Sequence, residues 1–413
     1  MNAPAHFALV GLGVVAVLLT PGGQFATQAQ TEATPEIPPR TWLPPDAFYD
    51  PPADVPADPG VLLRSEPLTD RLLPEGAQAW RIQYSTTFAD GSPAVAVATV
   101  LAPADPPPGS RPVITWEHGT VGILQKCMPS LVSAPFEGIP ALDQVVADGW
   151  VLVATDYAPN AQGVHPYIIG EGEARSALDA TRAARQMPEL TLSDETVVWG
   201  HSQGGHAALW TGIVGPRYAP DVEILGMAAI APASNPEQIL TMHGGDSSGA
   251  RLGAYFAAAY SQYYLDVAFD EAVSPEARDI AREMATLCQF DPQDIPSLQA
   301  LTEQLGGSPV LADPAAGALG EWLRENTPNA AIGAPVLVAQ GLTDEVVFPE
   351  VTDGFVEERC VAGQSLEYWR VAGRDHGGVV APDSPLGEPL VRWTRDRFAG
   401  MAQESGCQEK TIA

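Results

Sequence analysis

The segment Gly200-His201-Ser202-Gln203-Gly204-Gly205 constrains the fold more than any other stretch of the chain. An apolar run, Thr196-Val197-Val198-Trp199, leads into it, and a helix-compatible stretch, His206-Ala207-Ala208-Leu209-Trp210, follows. This context predicts a sharp turn between a strand and a helix. Small residues two before and two after the serine let the backbone bend without a clash. The serine hydroxyl then stands exposed above the sheet, and the next backbone N–H faces the same space. A chance glycine-rich turn is the bland alternative, and the strand before with the helix after argues against it.

A serine hydroxyl is a weak nucleophile at its own pKa, so it needs a base, and the base needs an orienting acid. On a strand–turn–helix of this kind the acid and then the histidine follow the serine in the chain. His243, in Thr241-Met242-His243-Gly244-Gly245, comes too early to leave room for an acid-bearing strand. His376, in Gly373-Arg374-Asp375-His376-Gly377-Gly378, follows a strand-like run from Ser365 to Val371 and is the expected base. The acid is expected after the preceding apolar run, Pro335 to Gly341, where Asp344 stands three residues past the end. Glu345 and Asp353 are the runners-up. Asp375 ranks lower, because neighbours in sequence rarely point at each other. A turn-capping carboxylate is the alternative reading of Asp344.

Acyl transfer from such a serine passes through an oxyanion that needs two preorganised N–H donors. One is expected from the Gln203 backbone. The other is expected from the loop after the strand-like Val113-Ile114-Thr115-Trp116, where Thr120 is the first choice and Gly119 the second. His118 in that loop reads as a positioning residue rather than a proton carrier.

The rest of the chain alternates strands and helices. Runs from Trp80 to Phe88 and from Ala94 to Ala102 flank Asp90-Gly91, a hairpin signal. A helix from Ile139 to Asp148, a strand from Trp150 to Thr155 and a helix from Glu173 to Gln186 follow, then the serine strand and another apolar run, Ile224 to Ala231. An antiparallel start followed by βαβ units predicts an α/β fold with a mostly parallel central sheet flanked by helices. About a hundred residues separate Ala231 from Pro335, far more than one crossover needs. The surplus, residues 232–334, reads as a helical cap inserted between two core portions, 61–231 and 335–413. Within it, aromatics at helical spacing from Tyr255 to Tyr264 could form an apolar wall for an acyl chain or simply pack the cap.

Net charge is −30, from 51 acidic and 21 basic residues. That balance argues against nucleic acid and against docking on anionic membranes. Phe7 to Leu19 is an apolar run too short for a comfortable membrane span, and Thr27-Gln28-Ala29 offers a small-x-small cleavage site. Residues 1–29 therefore read as an export signal, and a secreted or periplasmic location is expected. Residues 30–60 are proline-rich, with Trp42, Phe48 and Tyr49 as apolar anchors that predict at least partial docking. Cys127, Cys288, Cys360 and Cys407 form an even set in an exported chain, so two disulfides are expected, with three pairings open. No C-x-x-C or Cys/His cluster suggests a metal, and the chemistry calls for no cofactor.

Several stretches beyond the serine motif resemble the secretory lipase family of α/β-hydrolases. They are Phe48-Tyr49-Asp50-Pro51-Pro52, His118-Gly119-Thr120, Lys126-Cys127-Met128-Pro129-Ser130, and Val153-Ala154-Thr155-Asp156-Tyr157 with His165-Pro166-Tyr167. The resemblance implies an α/β-hydrolase fold with a helical lid and triacylglycerol lipase or esterase activity. It implies a lipid or other hydrophobic ester as partner, met at a lipid–water interface. It also implies the pairings Cys127–Cys288 and Cys360–Cys407 and supports Ser202, Asp344 and His376 as a triad. Ala158-Pro159-Asn160-Ala161-Gln162-Gly163 departs from the family's tighter glycine-containing run. Asp156 and Tyr157 read as loop-ordering. The competing readings are an acyltransferase, a polyester-degrading esterase or a peptidase with the same triad, and a catalytically silent binding protein on the same fold.

Overall fold

The structure, a computed structural model, describes residues 41–413. The expected export signal and the start of the proline-rich segment lie outside the described residues. Strands β1 (Leu62–Pro67), β2 (Ala77–Thr87) and β3 (Pro93–Pro103) form an antiparallel entry. The Asp90-Gly91 turn joins β2 to β3 as the sequence predicts, with Gly91 at φ +85°. Strand β3 then pairs antiparallel with β5 (Val151–Thr155). From there the sheet is parallel, through β4 (Arg111–Glu117), β6 (Leu192–His201), β7 (Glu223–Ile230), β8 (Val336–Gly341), β9 (Leu366–Val371) and β10 (Cys407–Ile412). The strand order is β1-β2-β3-β5-β4-β6-β7-β8-β9-β10.

The parallel strands are apolar on both faces because helices cover both. Val198, Met227, Ala229, Val336 and Val338 pack toward α3 (Gln203–Tyr218) and α10 (Pro349–Val361). Their neighbours along the same strands, Val197, Trp199, Ala228, Ile230, Leu337 and Ala339, point the other way. Those pack with Val145 of α1 (Leu142–Ala147) and with Leu390, Val391 and Trp393 of α11 (Gly387–Phe398). Helix α2 (Gly170–Ala184) covers the β2–β3–β5 end through Ala180, Ala183 and Ala184. Helix α1 starts three residues later than its pattern suggests. Ile139 precedes a proline, which disfavours helical backbone there, and Ala141 takes a left-handed φ of +53° before the helix begins.

The long connection from β7 to β8 is helical. It carries α4 (Pro236–His243), α5 (Ser247–Tyr263), α6 (Phe269–Ala272), α7 (Arg278–Met284), α8 (Ile295–Leu305) and α9 (Gly317–Glu325). Tyr255, Tyr260, Leu301, Val310 and Leu323 bury one another in this cap, and Tyr167 and Ile168 from the core side join the cluster. Two disulfides staple the molecule. Cys127–Cys288 ties the loop after β4 to the cap, and Cys360–Cys407 ties α10 to the edge strand β10. Phe48 and Tyr49 are buried against Val97 and Leu131, and the Tyr49 hydroxyl lies 2.7 Å from Ser130 Oγ, so this part of the proline-rich segment is docked. No helix among the described residues is long and apolar enough to cross a membrane.

Candidate active site

The parallel strands end level with one another, and their C-terminal ends gather the candidate residues. Glu117, the last residue of β4, pairs with Gly200 near the end of β6. The loop His118-Gly119-Thr120 therefore runs beside the turn that holds Ser202. Ser202 sits at φ +60°, ψ −118°, a strained conformation for a residue with a side chain. The turn holds it by an N–H to Ile230 O bond of 2.9 Å, while its own carbonyl accepts the His206 and Ala233 N–H groups. The flanking glycines are a steric requirement. A Cβ on Gly200 would lie 1.9 Å from Gly204 O, and one on Gly204 would lie 1.8 Å from Glu117 O.

Asp344 and His376 arrive on the loops after β8 and β9. The loops are bound together, with Leu342 N donating to Val371 O and Thr343 N to Arg374 O, both at 3.0 Å. His376 Nε2 lies 2.8 Å from Ser202 Oγ, and His376 Nδ1 lies 2.8 Å from Asp344 Oδ2. The carboxylate is saturated with donors. Oδ1 accepts the Val346 and Val347 N–H groups at 2.8 Å each, and Oδ2 also accepts Gln340 Nε2 at 3.0 Å. Burial alone would push this carboxyl up. The His376 hydrogen bond and charge, with the two backbone N–H groups, hold it below its usual value, so it stays ionised.

The competing carboxylates are elsewhere. Asp353 accepts Tyr368 Oη and Arg370 Nη2, Asp375 caps its own turn through the Gly378 N–H, and Glu345 is exposed. His243 stays in the cap, where it bonds Asp246 and the Val346 carbonyl. His206 also follows Ser202 in the chain. It lies beneath the site, with Nε2 on Asn326 O at 2.6 Å.

Gly119 and Thr120 line the same cavity as Ser202 and His376. The Gln203 N–H opens α3, where the first N–H groups have no partner within the helix and the helix dipole favours negative charge. Thr120 Oγ1 is fixed by the Tyr167 hydroxyl at 2.9 Å. His118 Nδ1 donates to the adjoining Gly119 carbonyl at 2.7 Å, and burial pushes the His118 pKa down to about 4. Tyr157, at φ +59°, packs on the His118 ring and donates to its carbonyl. Asp156 accepts the Ser130 N–H and hydroxyl. Both residues order the loops and stay out of the cavity.

A polar layer under the turn has no counterpart in the motif reading. Gln203 Nε2 donates to Glu173 Oε1 at 2.6 Å and meets His165 Nε2 at 2.9 Å, while Glu173 Oε1 also accepts the Ile168 N–H. His201 Nε2 lies 2.8 Å from the His376 carbonyl. Burial and the neighbouring His376 push His201 down to about 3, so it is neutral and donates that bond. Its position inside the Gly-x-Ser-x-Gly motif was the one available signal. Glu173 carried none beyond an acidic residue in a helix's first turn.

The cavity above Ser202 has a volume of about 330 Å³, in the range of small-ligand sites. Its walls are largely apolar, with Val132, Ile239, Leu252, Phe256, Phe290 and Val347 among them. Of the cap's aromatic stretch, only Phe256 lines this cavity. Tyr255 and Tyr260 are fully buried in the cap, and Tyr264 stacks on Trp322, so packing claims most of that stretch.

The family model for secretory lipases matches residues 139–406. The chain belongs to the secretory lipase family. Among relatives of this chain, a "Probable inactive lipase" of Mycobacterium tuberculosis is 27% identical, over 86% of this chain and 82% of the relative. A secreted triacylglycerol lipase of Malassezia globosa is 25% identical, over 88% and 83%. Lipase A of Candida antarctica in its closed state superposes with a TM-score of 0.69 at 17% identity, over 89% of both chains. The rice cell wall degrading esterase LipA of Xanthomonas oryzae gives 0.65 at 18%, over 83% and 96%. At these identities the two structures attest the α/β-hydrolase fold.

Proposed function

We propose that this member of the family is an exported serine carboxylic ester hydrolase acting on lipid or other hydrophobic esters through an acyl-enzyme. One observation carries the reading: an unbroken hydrogen-bonded chain, Asp344–His376–Ser202, ends in an apolar cavity. Ser202 Oγ attacks the ester carbonyl while His376 Nε2 takes its proton. The oxyanion forms against the backbone N–H of Gln203 and of Thr120 or Gly119. Collapse expels the alcohol, which takes the proton back from His376, and water repeats the sequence to release the acid. Asp344 fixes the tautomer and stabilises the imidazolium. Two disulfides support an oxidising destination. We assign residues 61–231 and 335–413 to the catalytic core and 232–334 to the cap.

The name of the mycobacterial relative raises a silent-fold alternative, against which the connected Ser202, His376 and Asp344 speak. Hydrolysis of p-nitrophenyl esters from acetate to palmitate, with Ser202→Ala alongside, tests the reading. Activity on long chains that vanishes in the variant is expected. Activity confined to short chains would make the protein an esterase rather than a lipase. Activity on no ester would sink the proposal.

A further inference from the structure

The cavity wall carries one cation without a partner among the described residues. The chain has 21 basic residues against 51 acidic ones, and its arginines mostly sit on carboxylates. Arg175 pairs with Glu171, Arg182 with Asp221, Arg324 with Glu237 and Arg395 with Asp148. Arg251 differs. Among the described residues none makes a hydrogen bond, ion pair or ring stack to its guanidinium, and its buried Nε, like that of Arg175, has no acceptor. It projects from α5, next to Leu252 and five residues before Phe256, and all three line the cavity that holds Ser202 and His376.

A second polar group lies on the same wall. Gln289 is held by its N–H to Val121 O, 2.8 Å, and by the adjoining Cys127–Cys288 disulfide. Its Oε1 is buried without a partner. Glu137 lines the same cavity. In a chain so rich in carboxylates, leaving a half-buried guanidinium unpaired forgoes an easy neutralisation, and a partly desolvated charge is costly without a partner. A few polar groups set into an apolar pocket fix the orientation of a ligand, and a guanidinium fork matches a carboxylate or phosphate.

We propose that Arg251 is the anchor for an anionic group on the acyl portion of the substrate. The preferred class is then an ester whose acyl chain bears a terminal carboxylate or phosphate. The proposal rests on the ester-hydrolase reading of Ser202 and specifies its substrate class.

The test uses p-nitrophenyl esters of acyl chains of increasing length in three forms: ω-carboxylate, ω-phosphate and the neutral ω-methyl ester. For each length kcat/KM is measured for the intact protein, Arg251→Leu and Arg251→Lys. The expected result is an anionic-to-neutral ratio that peaks at one chain length, because Ser202 and the α5 backbone that carries Arg251 are both fixed. That ratio falls tenfold or more in Arg251→Leu and is partly kept in Arg251→Lys. Whichever anion gives the higher peak identifies the source. A ratio that favours the neutral ester at every length in the intact protein overturns the anchor, whether or not the variants fold. So does a ratio that Arg251→Leu leaves unmoved. Failure to cleave even neutral esters would instead remove the ester-hydrolase reading beneath it.

Discussion

Replacing Asp344 by asparagine probes the site through hydrogen-bond direction alone. The carboxylate receives four donors, two backbone N–H groups at Oδ1 and Gln340 Nε2 with His376 Nδ1 at Oδ2. An amide offers one acceptor atom. The backbone N–H groups of Val346 and Val347 cannot turn away, so they keep the oxygen, and the new NH2 faces Gln340 and His376. His376 must then accept at Nδ1 and carry its proton on Nε2, pointing at Ser202 Oγ. In that tautomer it cannot take the serine proton. The expected fall in kcat is about 10⁴-fold, the size of tautomer loss in a serine protease triad. Gln340 Nε2 keeps the Gly341 and Val347 carbonyls as acceptors, so the buried N–H of the introduced amide that faces it is left unpaired, costing about 1–3 kcal/mol of stability. Ester turnover read beside a urea melt separates the two effects. A folded Asp344→Asn variant within about tenfold of the parent in kcat would refute the assignment of Asp344 as the orienting acid.

Gly204→Ala brings a Cβ to 1.8 Å from Glu117 O, backbone that cannot step aside. A loss of at least about 1–3 kcal/mol is expected with loss of turnover, and an unchanged urea midpoint would contradict it. Removing Cys127–Cys288 opens a loop of 161 residues and removing Cys360–Cys407 one of 47. The chain-entropy model gives about 5 and about 4 kcal/mol respectively, so the first double serine variant should have the lower denaturation midpoint; the reverse order would count against the model here. Burial raises Asp156 from 3.8 to about 7. Its contribution to stability is present in full below its unfolded value and is lost as pH rises through about 7. Asp156→Asn should therefore flatten the decline in denaturation midpoint between pH 4 and 8, and an identical slope in both proteins would rule this out.

Much of the core was legible because its signals are local. The Asp90-Gly91 hairpin, the apolar run into Ser202 and the runs ending at Gly341 and Val371 are each written within ten residues, and the structure brings Asp344 and His376 from the last two runs to Ser202. Edge strands β1 and β10 escaped notice. Cys407 to Lys410 are exposed and polar, with no face buried to impose alternation. The cap's helical period marked an apolar face without saying what it would meet, so Phe256 at the cavity and Tyr260 in the cap interior looked alike. The layer of Glu173, His165 and Gln203 joins distant parts of the chain, and no period or motif couples them. Arg251 is conspicuous only once its surroundings are known to lack a carboxylate partner.

An activated nucleophile at Ser202 can be tested with a fluorophosphonate, which needs no choice of substrate. The reagent forms a stable adduct only with a serine whose base and oxyanion donors are in place. Incubation of the folded protein followed by peptide mass mapping should show one adduct per chain, on the peptide containing Ser202, and none in His376→Ala. A folded protein that takes up no label, or takes it up on another residue, would contradict the claim.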